Sequence, residues 1–102
     1  MGKTFLYTEM QTAIPFEGFP WGAVNAELKG VPGLLRKTWL SGLGTNTVGG
    51  FYEFDTAEHA LDFAHGQFAE QARRAGAAST TRLFDGEIVR EASVDLRSPY
   101  FE

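Results

Sequence analysis

Two segments decide the fold of this chain: VPGLLRKTWL at residues 31–40 and GGFYEFD at residues 49–55. Each has the length of a strand and carries apolar side chains at both odd and even positions, so both faces of the predicted sheet are apolar. An amphipathic helix follows directly. A chain of 102 residues holds one domain with a single modest core. Because such a core cannot cover both faces, we expect a second copy to complete the structure.

The flanking segments give the order β-α-β-β-α-β. Alternating apolar residues predict the strands, while turn residues, prolines and glycines predict the boundaries. The predicted bounds are 3–11 for the first strand, 20 or 21 to 28 for the first helix, 34–41 and 48–54 for the next two strands, 57–75 for the second helix and 79–84 for the fourth strand. This order predicts an α+β, ferredoxin-like fold in which a four-stranded antiparallel sheet carries both helices on one face.

The alternation also assigns side chains to faces of the sheet. On the second strand it places Leu35, Lys37 and Trp39 on one face, and Leu34, Arg36, Thr38 and Leu40 on the other. On the third strand it places Val48, Tyr52 and Phe54 on one face, and Phe51 and Glu53 on the other. Gly50, within this strand, indicates a bulge or the close approach of another group.

The second helix has clear end signals. Asp55 and Glu58 have the spacing of a capping box, and Gly76 is a suitable C-terminal stop. Its apolar stripe is predicted to be Ala57, Ala60, Leu61, Ala64, Phe68, Ala72 and Ala75. Phe63 lies off this stripe, so we expect it to contact a partner or the C-terminal tail.

The whole chain, 1–102, is predicted to be one domain with a C-terminal extension from about residue 87. Residues 87–96 form a short helix or a final strand, and the aromatic tail at 98–102 is expected to dock on the domain. The uncovered face of the sheet is expected to stack on the sheet of a second subunit, giving a homodimer with a barrel-like core.

Composition excludes several classes of function. The net charge of −4 disfavours a sequence-independent grip on nucleic acid, and the absence of cysteine removes thiolate catalysis and thiolate metal sites. The two histidines lie six residues apart, on different helix faces, which disfavours a histidine metal site. No apolar run approaches the roughly 20 residues that span a bilayer. The N-terminus begins as a strand, so we expect a soluble, cytoplasmic protein without membrane partners.

A resemblance to a known family rests on Pro32-Gly33-Leu34 with Lys37, Trp39 and Leu40, on Gly49-Gly50-x-Tyr52-x-Phe54, on Ala60, and on Leu83-Phe84-Asp85. With these motifs, residues 4–86 resemble the YdhR-type monooxygenases of the dimeric α/β-barrel, or antibiotic-biosynthesis-monooxygenase-like, superfamily. The resemblance implies a homodimer of ferredoxin-like subunits, each with a pocket between sheet and helices. It also implies oxygenation of electron-rich aromatic polyketides without flavin, haem or metal, because the deprotonated substrate itself passes an electron to dioxygen.

Three residues are candidates for catalysis. Trp39 is expected to stack on a planar substrate and offer its indole N–H to an oxygen, unless it is a core residue. Tyr52 is expected to donate to a developing oxyanion, unless its hydroxyl bonds to the backbone. His65, beside the apolar stripe, is the candidate general base, unless it only packs at the rim. The other histidine, His59, is expected to be solvated.

Other residues are candidates for substrate binding. Phe16, Phe19 and Trp21 surround the entry to the first helix and are expected to form a lid, or else to pack under the dimer edge. Phe68 is expected to line the same site. Arg36 and Lys37 point opposite ways, so one is expected to pair with Glu53 or Glu9 and the other to hold a substrate carboxylate or phenolate.

Three functions remain open at this point. The first is a cofactor-independent monooxygenase acting on a small electron-rich aromatic or polyketide-like compound. The second is a non-oxidative isomerase, cyclase or lyase on the same scaffold. The third is a dimer that binds a small apolar ligand without turnover.

Overall fold

The computed structural model describes residues 2–101 and contains one antiparallel sheet with helices packed on it. The strands are β1 Thr4–Gln11, β2 Leu34–Ser41, β3 Thr47–Phe54 and β4 Ser79–Asp85, and the helices are α1 Trp21–Leu28, α2 Ala57–Phe63, α3 Ala69–Ala75 and α4 Arg90–Asp95. The strands lie in the order β2-β3-β1-β4, with every neighbouring pair antiparallel. The predicted α+β class and four-stranded antiparallel sheet are confirmed, and the strand order is compatible with the ferredoxin-like fold.

The two central strands, β1 and β3, have one helix-facing side that forms the core. Leu6 pairs with Tyr52 and Met10 with Val48, and all four side chains are buried in one apolar cluster. The alternate positions, which include Phe5 on β1 and Phe51 and Glu53 on β3, face the opposite side of the sheet, called here the outer face. The two-residue period of a strand therefore places the side chains of β3 on the two faces of the sheet as the sequence predicts.

A bulge in β2 changes the predicted division of that strand. Leu34 pairs with Phe54, but the next pairs are Arg36 with Glu53 and Lys37 with Tyr52. The extra residue puts Leu34 on the core and leaves Leu35 54% exposed, so the predicted faces of these two leucines are wrong. Beyond the bulge the alternation is regular, and Lys37 and Trp39 share the helix-facing side as predicted.

The predicted second helix is continuous, but its middle turn is wider than an α-helix. A π-helical segment, Ala64–Phe68, joins α2 to α3. A π turn takes more residues per turn and so rotates the following apolar positions relative to the preceding ones. Phe63, just before this segment, is 4% exposed and packs on Tyr52, whereas Leu61 is 41% exposed. The predicted positions of Phe63 and Leu61 are therefore wrong.

The ends of this long helix agree with the sequence only in part. Gly76 adopts the left-handed conformation, φ 63°, that ends α3, as predicted. At the other end Thr56, not Asp55, is the N-cap: its hydroxyl accepts from the His59 amide at 3.1 Å. Asp55 instead lies 2.7 Å from Nδ1 of His59, and this pair raises the pKa of His59.

The C-terminal segment folds over part of the outer face. After β4, α4 forms in the region where helix and strand were both open, and the tail returns to the sheet. Phe101 is buried with its ring 5.7 Å from that of Phe5, and Tyr100 packs 5.3 Å from Phe51. The expected docking of the tail is confirmed as far as Phe101, while Glu102 lies outside the described residues.

Ionic contacts reinforce this arrangement. Glu53, 4% exposed, lies 3.1 Å from Lys3 Nζ, and the same ammonium donates to the Tyr100 carbonyl oxygen. Arg36 Nη1 lies 3.2 Å from the other Glu53 oxygen, which makes no hydrogen bond to the described residues. Removing either cation would leave a buried carboxylate less compensated. Among residues 2–101, no helix is both long and apolar enough to cross a bilayer.

Replacement of Phe101 by alanine tests the role of the tail. We expect Phe101→Ala to lower the free energy of unfolding by about 3 kcal/mol, because it removes a buried ring from a packed site. Urea denaturation measures the change. Leu43→Ala is the control: Leu43 is almost fully exposed, so its effect should stay within about 0.5 kcal/mol. Equal effects of the two substitutions would show that the tail does not pack on the sheet.

Candidate functional site

A small cavity lies between the helix-facing side of the sheet and the helices. Its volume is about 20 Å³, close to that of one water molecule. The sheet contributes Thr8, Lys37, Trp39 and Tyr52, and the segments above it contribute Phe19, Val24, Phe68 and Gln71. Apolar side chains thus surround a few hydroxyl, amide and amine groups, which is the usual composition of a small-molecule site.

Lys37 is the central group of this cavity. Gly50, on the neighbouring strand, leaves the space in which the lysine stem lies: a Cβ on Gly50 would be 2.5 Å from Lys37 Cε. The predicted close approach at Gly50 is thereby confirmed. Lys37 Nζ lies 3.2 Å from the ring centroid of Trp39 and 4.8 Å from that of Tyr52.

The amine of Lys37 has no acceptor among residues 2–101, neither a hydrogen bond nor a carboxylate within ion-pair distance. Burial disfavours the charged form and lowers the pKa of Lys37 from 10.5 to about 7. The rings of Trp39 and Tyr52 favour the cation through their π-faces, but they replace only part of its lost hydration. The side chain is therefore divided between amine and ammonium near neutral pH.

Trp39 forms one wall of the cavity. Its indole N–H donates to Asn25 Oδ1 on α1 at 3.0 Å, so this donor is already engaged. The rings of Phe16 and Phe19 each lie 5.7 Å from Trp39. Phe16 and Phe19, two of the three predicted lid residues, therefore pack on Trp39, the residue predicted to be a pocket wall. The hydrogen bond to Asn25 fixes the plane of the indole.

Tyr52 supplies a hydroxyl to the same cavity. The phenol is buried beside Phe63 and accepts a hydrogen bond from Thr8 Oγ1 at 3.3 Å. Burial raises the pKa of Tyr52 to about 12, so the phenol keeps its proton at neutral pH. Within the described part of the chain this proton meets no acceptor. It is a donor available to an oxygen atom in the cavity.

The structure does not bring every candidate residue to this site. Phe68, in the π-helical segment, lines the cavity, but Trp21 is 51% exposed and does not. His65, on the same segment, is exposed and does not line the cavity. Arg36 lies on the outer face with Glu53, which confirms the ion pair and separates Arg36 from the cavity. Among residues 2–101, no three acidic or histidine side chains cluster as metal ligands.

An open groove adjoins the cavity at the end of the sheet. Its volume is about 700 Å³, within the range of ligand-binding clefts. The groove and the cavity share four lining residues: Met10, Phe19, Val24 and Gln71. The groove and the cavity are therefore adjacent, and these four side chains border both.

Sequence reasoning missed Thr8, Asn25 and Gln71, and gave Lys37 only a minor role. Asn25 and Gln71 are single polar residues on helices, and their spacing carries no signal. Lys37 does carry one: it alternates with Trp39 on a strand face whose neighbour at position 50 is glycine. A long side chain opposite a glycine can lie flat on the sheet instead of extending into water.

No protein-family model matches this chain, and no curated protein matches it significantly. Membership of the YdhR-type family therefore stays a prediction from sequence motifs.

The burial of Lys37 predicts a distinctive dependence of stability on pH. Below about pH 7 the amine is protonated in both the folded and the unfolded chain, and the full desolvation penalty acts on the fold. Between about 7 and 10.5 the unfolded chain binds the extra proton, so stability rises with pH by at most about 1.4 kcal/mol per unit. Urea unfolding at a series of pH values should show this rise in the wild type, and Lys37→Met should lose it.

The matched control is Lys29→Met, which removes an exposed lysine and should follow the wild-type profile. Parallel profiles for the wild type and Lys37→Met would contradict the burial of the Lys37 amine.

Proposed function

We propose that this protein is a cofactor-independent monooxygenase in which Lys37 removes a proton from a small, planar hydroxyarene or enolisable polyketide-like compound. The observation that carries the proposal is the unpaired Lys37 amine between the rings of Trp39 and Tyr52. A base works best when its pKa is near the working pH, and burial gives this amine such a value. The motif resemblance described above supports the oxygenase chemistry.

The cavity suits the anion that proton transfer creates. Once Lys37 carries the proton, its ammonium faces the new phenolate or enolate, and the proton of Tyr52 is a second donor to the same oxygen. Trp39 and Phe19 provide ring surfaces on which a planar substrate stacks. Because burial removes part of the water around Lys37, the ion pair is stronger than it would be in bulk solvent.

The proposed oxidation needs no reductant other than the substrate. The hydroxyl proton of the substrate passes to Lys37, and the electron-rich anion donates an electron to O₂. One oxygen atom becomes the second carbonyl oxygen of a quinone, and the other leaves as water with the hydroxyl and ring hydrogens. The substrate supplies all four electrons, and Lys37 returns its proton to the departing water.

Substrate entry requires movement of the lid. The cavity holds about one water molecule, whereas the adjoining groove is large enough for an aromatic compound. In this proposal a ligand first occupies the groove. Phe19 and Val24 then swing aside, so that the ring of the ligand slides between Trp39 and Phe68.

Oxygen consumption with a panel of hydroxyarenes tests the proposal. In metal-free and flavin-free buffer, we expect uptake that Lys37→Met lowers by about 10²- to 10⁴-fold, the usual effect of removing a general base. Lys37→Arg keeps a cation but cannot accept a proton, so it should bind ligand without turnover. Lys29→Met is the control and should behave as the wild type.

Each other outcome has a defined meaning. Turnover that persists under nitrogen would replace oxygenation by a non-oxidative isomerase, cyclase or lyase reaction. Ligand binding without turnover in the wild type would leave a small-ligand-binding protein. Full activity of Lys37→Met would overturn the role of Lys37.

We further propose that the protein is a homodimer formed through the outer face. The tail covers only part of that face. Beside it lies an apolar groove of about 650 Å³ with Phe84, Ile88 and Val89 exposed along its edge. A second copy of the same surface would bury these side chains by two-fold symmetry. The shape of the combined core, including the barrel suggested by the resemblance, belongs to this proposal.

Light scattering at micromolar concentration tests the dimer. We expect the mass of two chains for the wild type and of one chain for Ile88→Asp, because the new carboxylate would be buried at the interface. Leu43→Asp, at an exposed position on the β2–β3 turn, should remain dimeric. A monomeric wild type would refute the proposal without affecting that for Lys37.

A further inference from the structure

We propose that Lys37 is also a nucleophile that condenses with a small aromatic aldehyde to form an imine. This activity uses the cavity described above, but it does not depend on the oxygenation reaction. Nζ attacks the carbonyl carbon, and the carbinolamine then loses the carbonyl oxygen as water. Two N–H hydrogens and that oxygen form the water, so the step needs no oxidant or reductant.

The contacts of the three lysines separate Lys37 from the others. The chain contains only Lys3, Lys29 and Lys37. Lys3 is held by Glu53 and the Tyr100 carbonyl oxygen, and Lys29 is exposed. Lys37 alone has its amine in an aromatic cavity without a carboxylate among residues 2–101. A lysine desolvated in this way keeps its lone pair available at neutral pH and is the usual precursor of a Schiff base.

The surroundings of Lys37 favour an aromatic carbonyl compound. Trp39, Phe19 and Phe68 offer ring and edge contacts to an aryl group. Tyr52, whose oxygen accepts a hydrogen bond from Thr8, brings its own hydroxyl proton to the same cavity, where it can donate to the carbonyl oxygen as that oxygen gains negative charge. The partial burial of Lys37 limits the access of bulk water to the imine once it has formed.

The approach to Lys37 is also defined. Met10, Phe19, Val24 and Gln71 line both the open groove and the cavity that holds Lys37. An aldehyde in the groove therefore approaches the amine past these side chains. Gly50 holds the stem of Lys37 in this direction, because no side chain at position 50 pushes it off the sheet.

Reductive trapping tests the inference. The full chain is incubated with 4-hydroxybenzaldehyde and cyanoborohydride at neutral pH, and the modified lysines are located by peptide mass spectrometry. We expect modification of Lys37 to exceed that of Lys29 by at least about ten-fold, because burial lowers the pKa of Lys37 and favours its neutral, nucleophilic amine, whereas Lys29 is exposed to water. Modification of Lys37 should also rise as the pH passes about 7.

Two variants sharpen the result. Gly50→Ala would place its Cβ 2.5 Å from Lys37 Cε and 2.9 Å from Tyr52 Cε1, so it should displace the lysine and reduce selective trapping. Lys37→Arg should abolish the adduct in this peptide, while Lys29→Met should leave it unchanged. If a variant fails to fold, the ratio between Lys37 and Lys29 in the wild type still decides the question.

The outcomes separate this inference from the proposed oxygenase. Equal labelling of Lys29 and Lys37, or no labelling of Lys37, overturns imine formation. Oxygen uptake without selective trapping refutes only the imine, and selective trapping without oxygen uptake or other turnover of hydroxyarenes refutes only the oxygenase.

Discussion

The alternation of side chains along β2 and β3 places the charged residues of these strands on opposite faces of the sheet, and the candidate site depends on that separation. Glu53 faces outward, where it meets Arg36 and Lys3. Lys37 follows Arg36 directly, so it must face the helices, where the neighbouring strand presents Tyr52. Glu53 is thus on the wrong side of the sheet for Lys37, which has no carboxylate within ion-pair distance among residues 2–101. A one-residue shift of β2 would exchange the two cations and remove the site.

Most of the fold could be predicted because it follows from local patterns. Alternation located the strands, and Gly76 and the prolines located helix ends. Errors in the assignment of faces arose where the regular period is broken. The bulge at Leu35 and the π-helical segment Ala64–Phe68 each break the regular period on which a face assignment depends. Both irregularities depend on tertiary packing, so no local pattern in the sequence reveals them.

The candidate site could be predicted only in outline. Trp39, Tyr52 and Phe68 were expected to line a pocket and do line the cavity, because large residues on adjacent elements of one face must meet. His65 was placed beside the apolar stripe by a wheel of constant period, and the π-helical segment removes the basis for that placement. The state of Lys37 depends on the absence of a nearby carboxylate. Such an absence is a property of the folded chain and not of a motif.

The cost of Lys37 to the fold argues that the residue is retained for chemistry. A methionine at position 37 would fill similar space and contact the same rings without desolvation of a charge. The buried lysine destabilises the native state at every pH below about 10.5, and most strongly below about 7, and Gly50, which accommodates it, also weakens a central strand. Positions 37 and 50, which are neighbours on adjacent strands, therefore both hold residues that packing alone does not favour. Natural proteins show such local departures mainly at functional sites, where an activity offsets the loss of stability.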